Sequence, residues 1–287
     1  METDNFKLIG ERMNKQLNDV LACPEDHQPL TLKVSKQTGE EIEEGTLTCT
    51  SCKREYQIKG KIPVLYFNPD QTVPEKWWEL SDAPLVDENF MRGIDPHKQP
   101  IRTRIRDEAV AIGKSVLDVG CATCIDYPLY QEIGFRYVGV DITCKLLEGA
   151  LKQTPSVTVV RGDGKKLPFK DNSFDSVSCK DMLVHLPPGD YAKVLTEMWR
   201  VTKKALMIGF FGNAVDTNKQ CIYGLNPVNP AVGYKYPHWW SYYTKEAILD
   251  TLSKLQDFDR LEIDHVKFEG HENSPANRTF YKALKKQ

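Results

Sequence analysis

The chain has no apolar run approaching the roughly 20 residues that a membrane-spanning helix needs. Its polar start, Met1-Glu2-Thr3-Asp4-Asn5, also lacks the apolar core of a secretory signal. Both absences argue against a membrane protein and point to the cytoplasm. A charge imbalance is missing too: 38 Lys and Arg against 40 Asp and Glu leave a formal charge of −2. With no run of basic residues resembling a nucleic-acid-binding arm, a nucleic-acid partner is unexpected and a small or neutral molecule is the expected one. Cysteine is not scarce, at eight in 287 residues. The eight are unevenly placed, however, and several fall inside apolar strand patterns, so a reducing compartment accounts for them better than a disulfide framework.

The order of patterns divides the chain in three. Residues 1–67 begin with an amphipathic helix over 1–20, in which Phe6, Ile9, Met13, Leu17 and Val20 recur at helical spacing. Short β segments follow at Leu30 to Val34, Gly45 to Cys49 and Glu55 to Ile58, with a turn signal at Gln37-Thr38-Gly39-Glu40. So short a unit buries little core and calls for an internal staple. Residues 68–112, with five prolines among charged residues, read as a linker with short docking helices, and Trp77 and Trp78 either dock or roof a pocket. Residues 113–287 alternate strand and helix patterns: Ser115 to Val119, Val138 to Val140, Val157 to Val160, Ser173 to Cys179 and Ala205 to Phe211. That alternation predicts a doubly wound, mostly parallel α/β sheet.

The staple is legible in two knuckles on either side of the first hairpin, Cys23-Pro24-Glu25-Asp26-His27 and Cys49-Thr50-Ser51-Cys52. A structural zinc ion takes four tetrahedral nitrogen or sulfur ligands, and Cys23, His27, Cys49 and Cys52 would supply them. With Tyr56-Gln57-Ile58 and Gly60 to Leu65, this stretch resembles the short zinc-ribbon domain attached to, or partnered with, several methyltransferases. That resemblance implies a structural zinc and a protein partner reached through the ribbon. The family usually has Cys where Asp26 stands, so either Asp26 or His27 could be the fourth ligand.

Val116-Leu117-Asp118-Val119-Gly120-Cys121-Ala122-Thr123-Cys124 runs from an apolar strand directly into a turn of small residues, as a backbone must where it approaches a ligand closely. About 20 positions on, Val138-Gly139-Val140-Asp141 ends the next strand in a carboxylate, placed where ribose hydroxyls are bound in such folds. An NAD enzyme would share both features. The continuation Arg161-Gly162-Asp163-Gly164-Lys165-Lys166-Leu167-Pro168-Phe169, then Phe174-Asp175, is similar to small-molecule methyltransferases of the ubiquinone-biosynthesis type. The whole segment resembles the class I S-adenosylmethionine-dependent methyltransferases, although that family often has glycine at the positions of Ala122 and Cys124. The resemblance implies a Rossmann-like sheet of seven strands, with S-adenosylmethionine as cofactor. It further implies that Asp118 and Gly120 meet the methionyl part, Asp141 the ribose, Ile142 the adenine face, and Asp163-Gly164 the adenine amino group, with Lys180 lining the pocket.

Methyl transfer from a sulfonium needs alignment of the acceptor more than acid–base help. After the fourth strand, Lys180 to Leu186 stands between cofactor and acceptor, and His185 is the candidate general base. The aromatic stretch from Asn213 to Tyr243 is either a lid over a planar or apolar acceptor or ordinary packing, and it ends at a helix N-cap, Thr244. Two other functions stand beside the small-molecule enzyme. An RNA methyltransferase fits the ribbon but not the acidic balance or the absence of an Asn-Pro-Pro-Tyr-like motif. A catalytically silent cofactor-binding scaffold fits the altered glycines.

Overall fold

The computed structural model describes residues 15–66, 99–187, 189–211, 222–226, 238–266 and 278–286. Thirteen strands are found among them: β1 (Leu30–Thr38), β2 (Glu41–Cys49), β3 (Glu55–Lys59), β4 (Ile62–Val64), β5 (Ser115–Val119), β6 (Arg136–Asp141), β7 (Val159–Arg161), β8 (Phe174–Lys180), β9 (Thr202–Phe211), β10 (Ile222–Asn226), β11 (His238–Tyr242), β12 (Phe258–Val266) and β13 (Arg278–Lys285). Eleven of these form one sheet in the order β1-β2-β3-β4-β7-β6-β5-β8-β9-β13-β12, while β10 and β11 pair with each other. The expected α/β class is observed, but the strand count differs: the sheet has eleven strands rather than seven, and its stretch from β7 to β12 is parallel from β7 to β9 and antiparallel at β13 and β12.

All five residues of β5 are buried, as befits a central parallel strand covered on both faces. Alternation along it sends Leu117 and Val119 to one face and Val116 to the other. Helices cover both faces: α1 (Lys15–Val20), α2 (Gln99–Ile112), α3 (Tyr127–Gln131), α4 (Cys144–Gln153), α5 (Asp190–Val201) and α6 (Lys245–Leu252). α5 buries Val194, Leu195, Met198, Trp199 and Val201 against the Leu117 face, while α4 buries Leu147 and Ala150 against the Val116 face. Fully burying one such aliphatic side chain contributes about 1.5–3 kcal/mol. The Thr244 side chain accepts a hydrogen bond from the Ala247 amide at 3.2 Å and caps α6, as its position in the sequence suggested.

The N-terminal strands do not stand apart from this sheet. β4 runs parallel to β7, with Val64 opposite Arg161, and the Leu65 amide donates to the Arg161 carbonyl at 2.9 Å. Leu21 bridges Phe169, the Ala22 amide donates to the Pro168 carbonyl at 3.0 Å, and the Lys170 amide donates to the Val20 carbonyl at 2.9 Å. Leu47, Tyr56, Ile58 and Leu65 consequently belong to the same buried cluster as Leu117 and Val140. The small unit, unable to fill a core alone, shares that of its neighbour.

Of the helix expected over 1–20, only its end as α1 falls among the described residues. Trp77, Trp78 and the linker up to residue 98 lie outside them, as do residues 212–221 and 227–237 of the aromatic stretch.

Candidate functional site

The chain runs from β5 to β6 and β7 on one side of the sheet, then returns to β8 and β9 on the other. That reversal opens a crevice at the carboxyl ends of the strands, where such sheets bind ligands. The crevice holds about 670 Å³ of open space and is lined by Gly120 after β5, Asp141 and Ile142 at the end of β6, Asp163 and Gly164 after β7, Met182 and His185 after β8, and Asp190 and Val194 of α5. Six residues singled out from the sequence, Gly120, Asp141, Ile142, Asp163, Gly164 and His185, thus converge on one space.

Local geometry explains why each stands there. Gly120 has φ +74°, and a Cβ on it would lie 2.5 Å from Met182 Cγ, so the strand can turn into the crevice only without a side chain. Asp141 is held by two amides: Ala122 N donates to Oδ2 and Thr143 N to Oδ1, each at 2.9 Å. Asp163 Oδ1 accepts from the Lys165 amide at 2.8 Å, and Lys165 Nζ stands 3.8 Å from Asp163 and 3.5 Å from Asp190. His185 closes a short 3-10 turn, its amide donating to the Met182 carbonyl at 3.0 Å. Ala122 and Cys124 have φ of +49° and +55°. Their backbone is therefore of the kind glycine favours, and a side chain there costs about 1–2 kcal/mol per residue.

Asp118 and Lys180 lie behind the crevice wall rather than on it. Asp118 is 6% exposed and accepts a hydrogen bond from the Tyr137 hydroxyl at 2.6 Å. Burial, and then the negative charge of Asp126, push its carboxyl up to about 7 against the pull of the Lys180 ammonium and the Tyr137 hydroxyl. Lys180 Nζ pairs with Asp126 Oδ2 at 2.7 Å, and buried Arg102 of α2 donates to Asp126 Oδ1 and to the Ile125 carbonyl. Burial alone would raise Asp126, but Lys180 and Arg102 hold it below the usual carboxylate range. Sequence reasoning missed Arg102 and Asp126. No motif marks either, and only the packing of α2 against the loop after β5 brings them together.

In the N-terminal unit, Cys23, Asp26, Cys49 and Cys52 place one donor atom each within 4.8 Å of one another. Cys23 and Cys52 Sγ are 3.7 Å apart, close to the edge of a tetrahedron with arms of about 2.3 Å. Asp26 Oδ1 is 3.3 Å from Cys49 Sγ. His27, first in line as the fourth ligand on sequence grounds, is not in this group: its φ is +54° and its Nε2 lies 3.6 Å from Glu197. The structure brings the carboxylate of Asp26 to the place where the sequence reading put the imidazole. The backbone turns left-handed at His27 and directs the ring elsewhere.

Residues 117–207 match the family model for the methyltransferase domain, and residues 14–60 that for Trm112p-like protein. Residues 117–207 are thus a methyltransferase domain, preceded by a Trm112p-like one. The crevice belongs wholly to the methyltransferase domain and the cysteine cluster wholly to the Trm112p-like one. Among curated relatives, the demethylmenaquinone methyltransferase of Staphylococcus haemolyticus is 34% identical over 127 residues, covering 42% of this chain and 52% of its own. That of Renibacterium salmoninarum is 35% identical over 91 residues, 32% of this chain and 38% of its own. The chain therefore spans about half or less of the length of these relatives. Among solved structures, magnesium protoporphyrin IX methyltransferase from Synechocystis PCC 6803, determined with bound SAM, superposes with a TM-score of 0.53 at 16% identity, covering 77% of this chain and 100% of that one. A chain from the complex of the Haloferax volcanii Trm112 methyltransferase activator with a methyltransferase gives 0.51 at 13% identity, covering 72% and 98%. Both likenesses are of fold. No helix among the described residues is long and apolar enough to cross a membrane.

Proposed function

We propose that this chain transfers a methyl group from S-adenosylmethionine to a small-molecule acceptor. The observation that carries the proposal is the convergence of Asp141 and Asp163, from the ends of the adjacent parallel strands β6 and β7, on one crevice beside Gly120. Asp141, fixed by two backbone amides, has the geometry to accept both ribose hydroxyls. Ile142 offers an apolar face to adenine, and Asp163 with Gly164 takes its amino edge. Asp118 answers the cofactor's ammonium from behind the loop, and Lys180, itself paired with Asp126, favours its ionised form. When bound, the sulfonium supplies an electrophilic methyl group with a good leaving group already attached. The protein's task is then to orient the acceptor and exclude water, which in ideal intramolecular cases contributes about 7–11 kcal/mol. Met182 and Leu186 exclude water at the rim, and His185 accepts a proton where the acceptor must lose one. The demethylmenaquinone for which the curated relatives are named supports a planar small-molecule acceptor.

Cys23, Asp26, Cys49 and Cys52 would hold a structural zinc ion, whose binding free energy becomes folding free energy for the small unit. Four protein ligands leave no open position for catalysis at that metal. The β4 edge of the Trm112p-like domain is already paired with β7 of the same chain, so its first partner is its own methyltransferase domain.

Calorimetry with S-adenosylhomocysteine tests the cofactor assignment: the wild type binds and Asp141→Ala loses most of its affinity, whereas unchanged affinity in the variant rejects the ribose site. Labelled methyl transfer to a metabolite extract but not to bulk RNA supports the acceptor class, and transfer to RNA alone rejects it.

A further inference from the structure

The loop that begins at Gly120 also carries two thiols with no part in the chemistry above. Cys121 and Cys124 are the ends of a tight turn closed by the Cys124 amide, which donates to the Cys121 carbonyl at 2.8 Å. Such ends lie within about 7 Å of each other, and a disulfide bridges Cα atoms roughly 4.4–6.8 Å apart. Their side chains point to the same place: the Sγ atoms lie 2.7 and 2.8 Å from where a Cβ on Gly139 would stand. Cys121 Sγ also donates to the Ala122 carbonyl inside the turn at 3.8 Å, and each cysteine is 4% exposed. Position 139 is glycine because two sulfurs fill the space above it. Neither cysteine belongs to the metal-type cluster of the Trm112p-like domain.

We propose that Cys121 and Cys124 form a reversible oxidation site whose disulfide disables the cofactor crevice, an inference that rests on the assignment of that crevice to the cofactor. The oxidant is a peroxide. One cysteine sulfur, giving up its proton, attacks a peroxide oxygen; the O–O bond breaks, a sulfenic acid forms and water leaves. The second sulfur displaces the sulfenic oxygen, which departs with a proton as another water. Two S–H bonds and one O–O bond are lost, one S–S bond is made, the two sulfurs are oxidised and hydrogen peroxide is reduced to two waters. A dithiol reductant reverses the change by thiol–disulfide exchange.

The consequence follows from geometry. Closing the sulfurs to about 2.05 Å reshapes the turn between them. Ala122 lies inside that turn, and its amide is one of the two that hold Asp141 at 2.9 Å. A disulfide therefore disturbs the carboxylate assigned to the ribose without touching it. Gly120, on the same loop, lines the crevice, so a bound ligand shields the thiols.

The test treats the full-length, zinc-loaded protein with hydrogen peroxide, with and without S-adenosylhomocysteine. It reads the mass of the peptide spanning 121–124, the zinc content and the ligand affinity. The expected result is a peptide lighter by two hydrogens, affinity weakened about tenfold or more, recovery with dithiothreitol, and slower oxidation when ligand is bound. Cys124→Gly, which suits the left-handed backbone there, keeps its affinity after peroxide. A verified disulfide with unchanged affinity overturns the inference, as does peroxide treatment that yields no Cys121–Cys124 disulfide. Equal loss of affinity in Cys124→Gly moves the effect to the ribbon thiols and also overturns it. Failure of the reduced wild type to bind the ligand rejects the cofactor assignment, and the inference with it, whatever the peptide mass shows.

Discussion

Asp118 is a buried carboxyl whose proton affinity has a measurable consequence for folding. In the unfolded chain it titrates near its ordinary value of 3.8, whereas burial beside Asp126 moves it to about 7 in the folded protein. Between those limits the folded state holds the proton more tightly than the unfolded state. The group therefore favours folding fully below pH 3.8, and that contribution is lost as pH rises through 7. At 1.36 kcal/mol per pH unit, the interval corresponds to a fall of about 4 kcal/mol. Lowered carboxyls such as Asp126 and Asp175 slope the other way, so the total stability curve does not isolate Asp118. Comparison with Asp118→Asn does. Measured by urea denaturation at a series of pH values, the stability of the wild type minus that of the variant should fall by up to about 4 kcal/mol between pH 4 and 8. Tyr137→Phe removes the hydroxyl that favours the anion and carries the fall to higher pH. S-adenosylhomocysteine, whose ammonium favours the ionised carboxyl, binds more tightly as pH passes 7. A difference curve that stays flat from pH 4 to 8 would refute the reasoning.

Gly139→Ala places a methyl group 2.7 and 2.8 Å from two sulfurs and should cost about 1–3 kcal/mol in thermal or chemical denaturation, with part regained in Gly139→Ala/Cys124→Gly. Asp26→Cys completes a four-thiolate set and should retain zinc against a chelator longer than the wild type, while Cys49→Ser should lose it; metal analysis by mass spectrometry reads both. Arg278, 2% exposed in its side chain and 3.2 Å from Asp181, is half of a largely buried pair, so Arg278→Met should destabilise by about 3–5 kcal/mol in the same denaturation assay.

What could be read in advance was whatever local pattern controls. β5 is buried along its whole length because it is covered on both faces, Gly120 directly follows it, and Asp141 is the last residue of β6. The position of Asp118 and Lys180 behind the crevice was not legible, because it depends on Arg102 and Asp126 arriving from other elements. Spacing left Asp26 and His27 open, because one residue's difference in a turn is decided by φ and not by counting. β4 escaped notice because it is three residues long and contains Pro63, and its partner β7 lies nearly a hundred positions away. The pairing of β10 with β11 was hidden in an aromatic stretch whose spacing favours no single period.

The strand pairing of β4 with β7 joins two parts of one polypeptide. Tethering replaces a bimolecular encounter by an effective local concentration. A freely diffusing ribbon protein would have to exceed that concentration to displace the resident strand. The two domains are also made in equal numbers, so neither accumulates without the other.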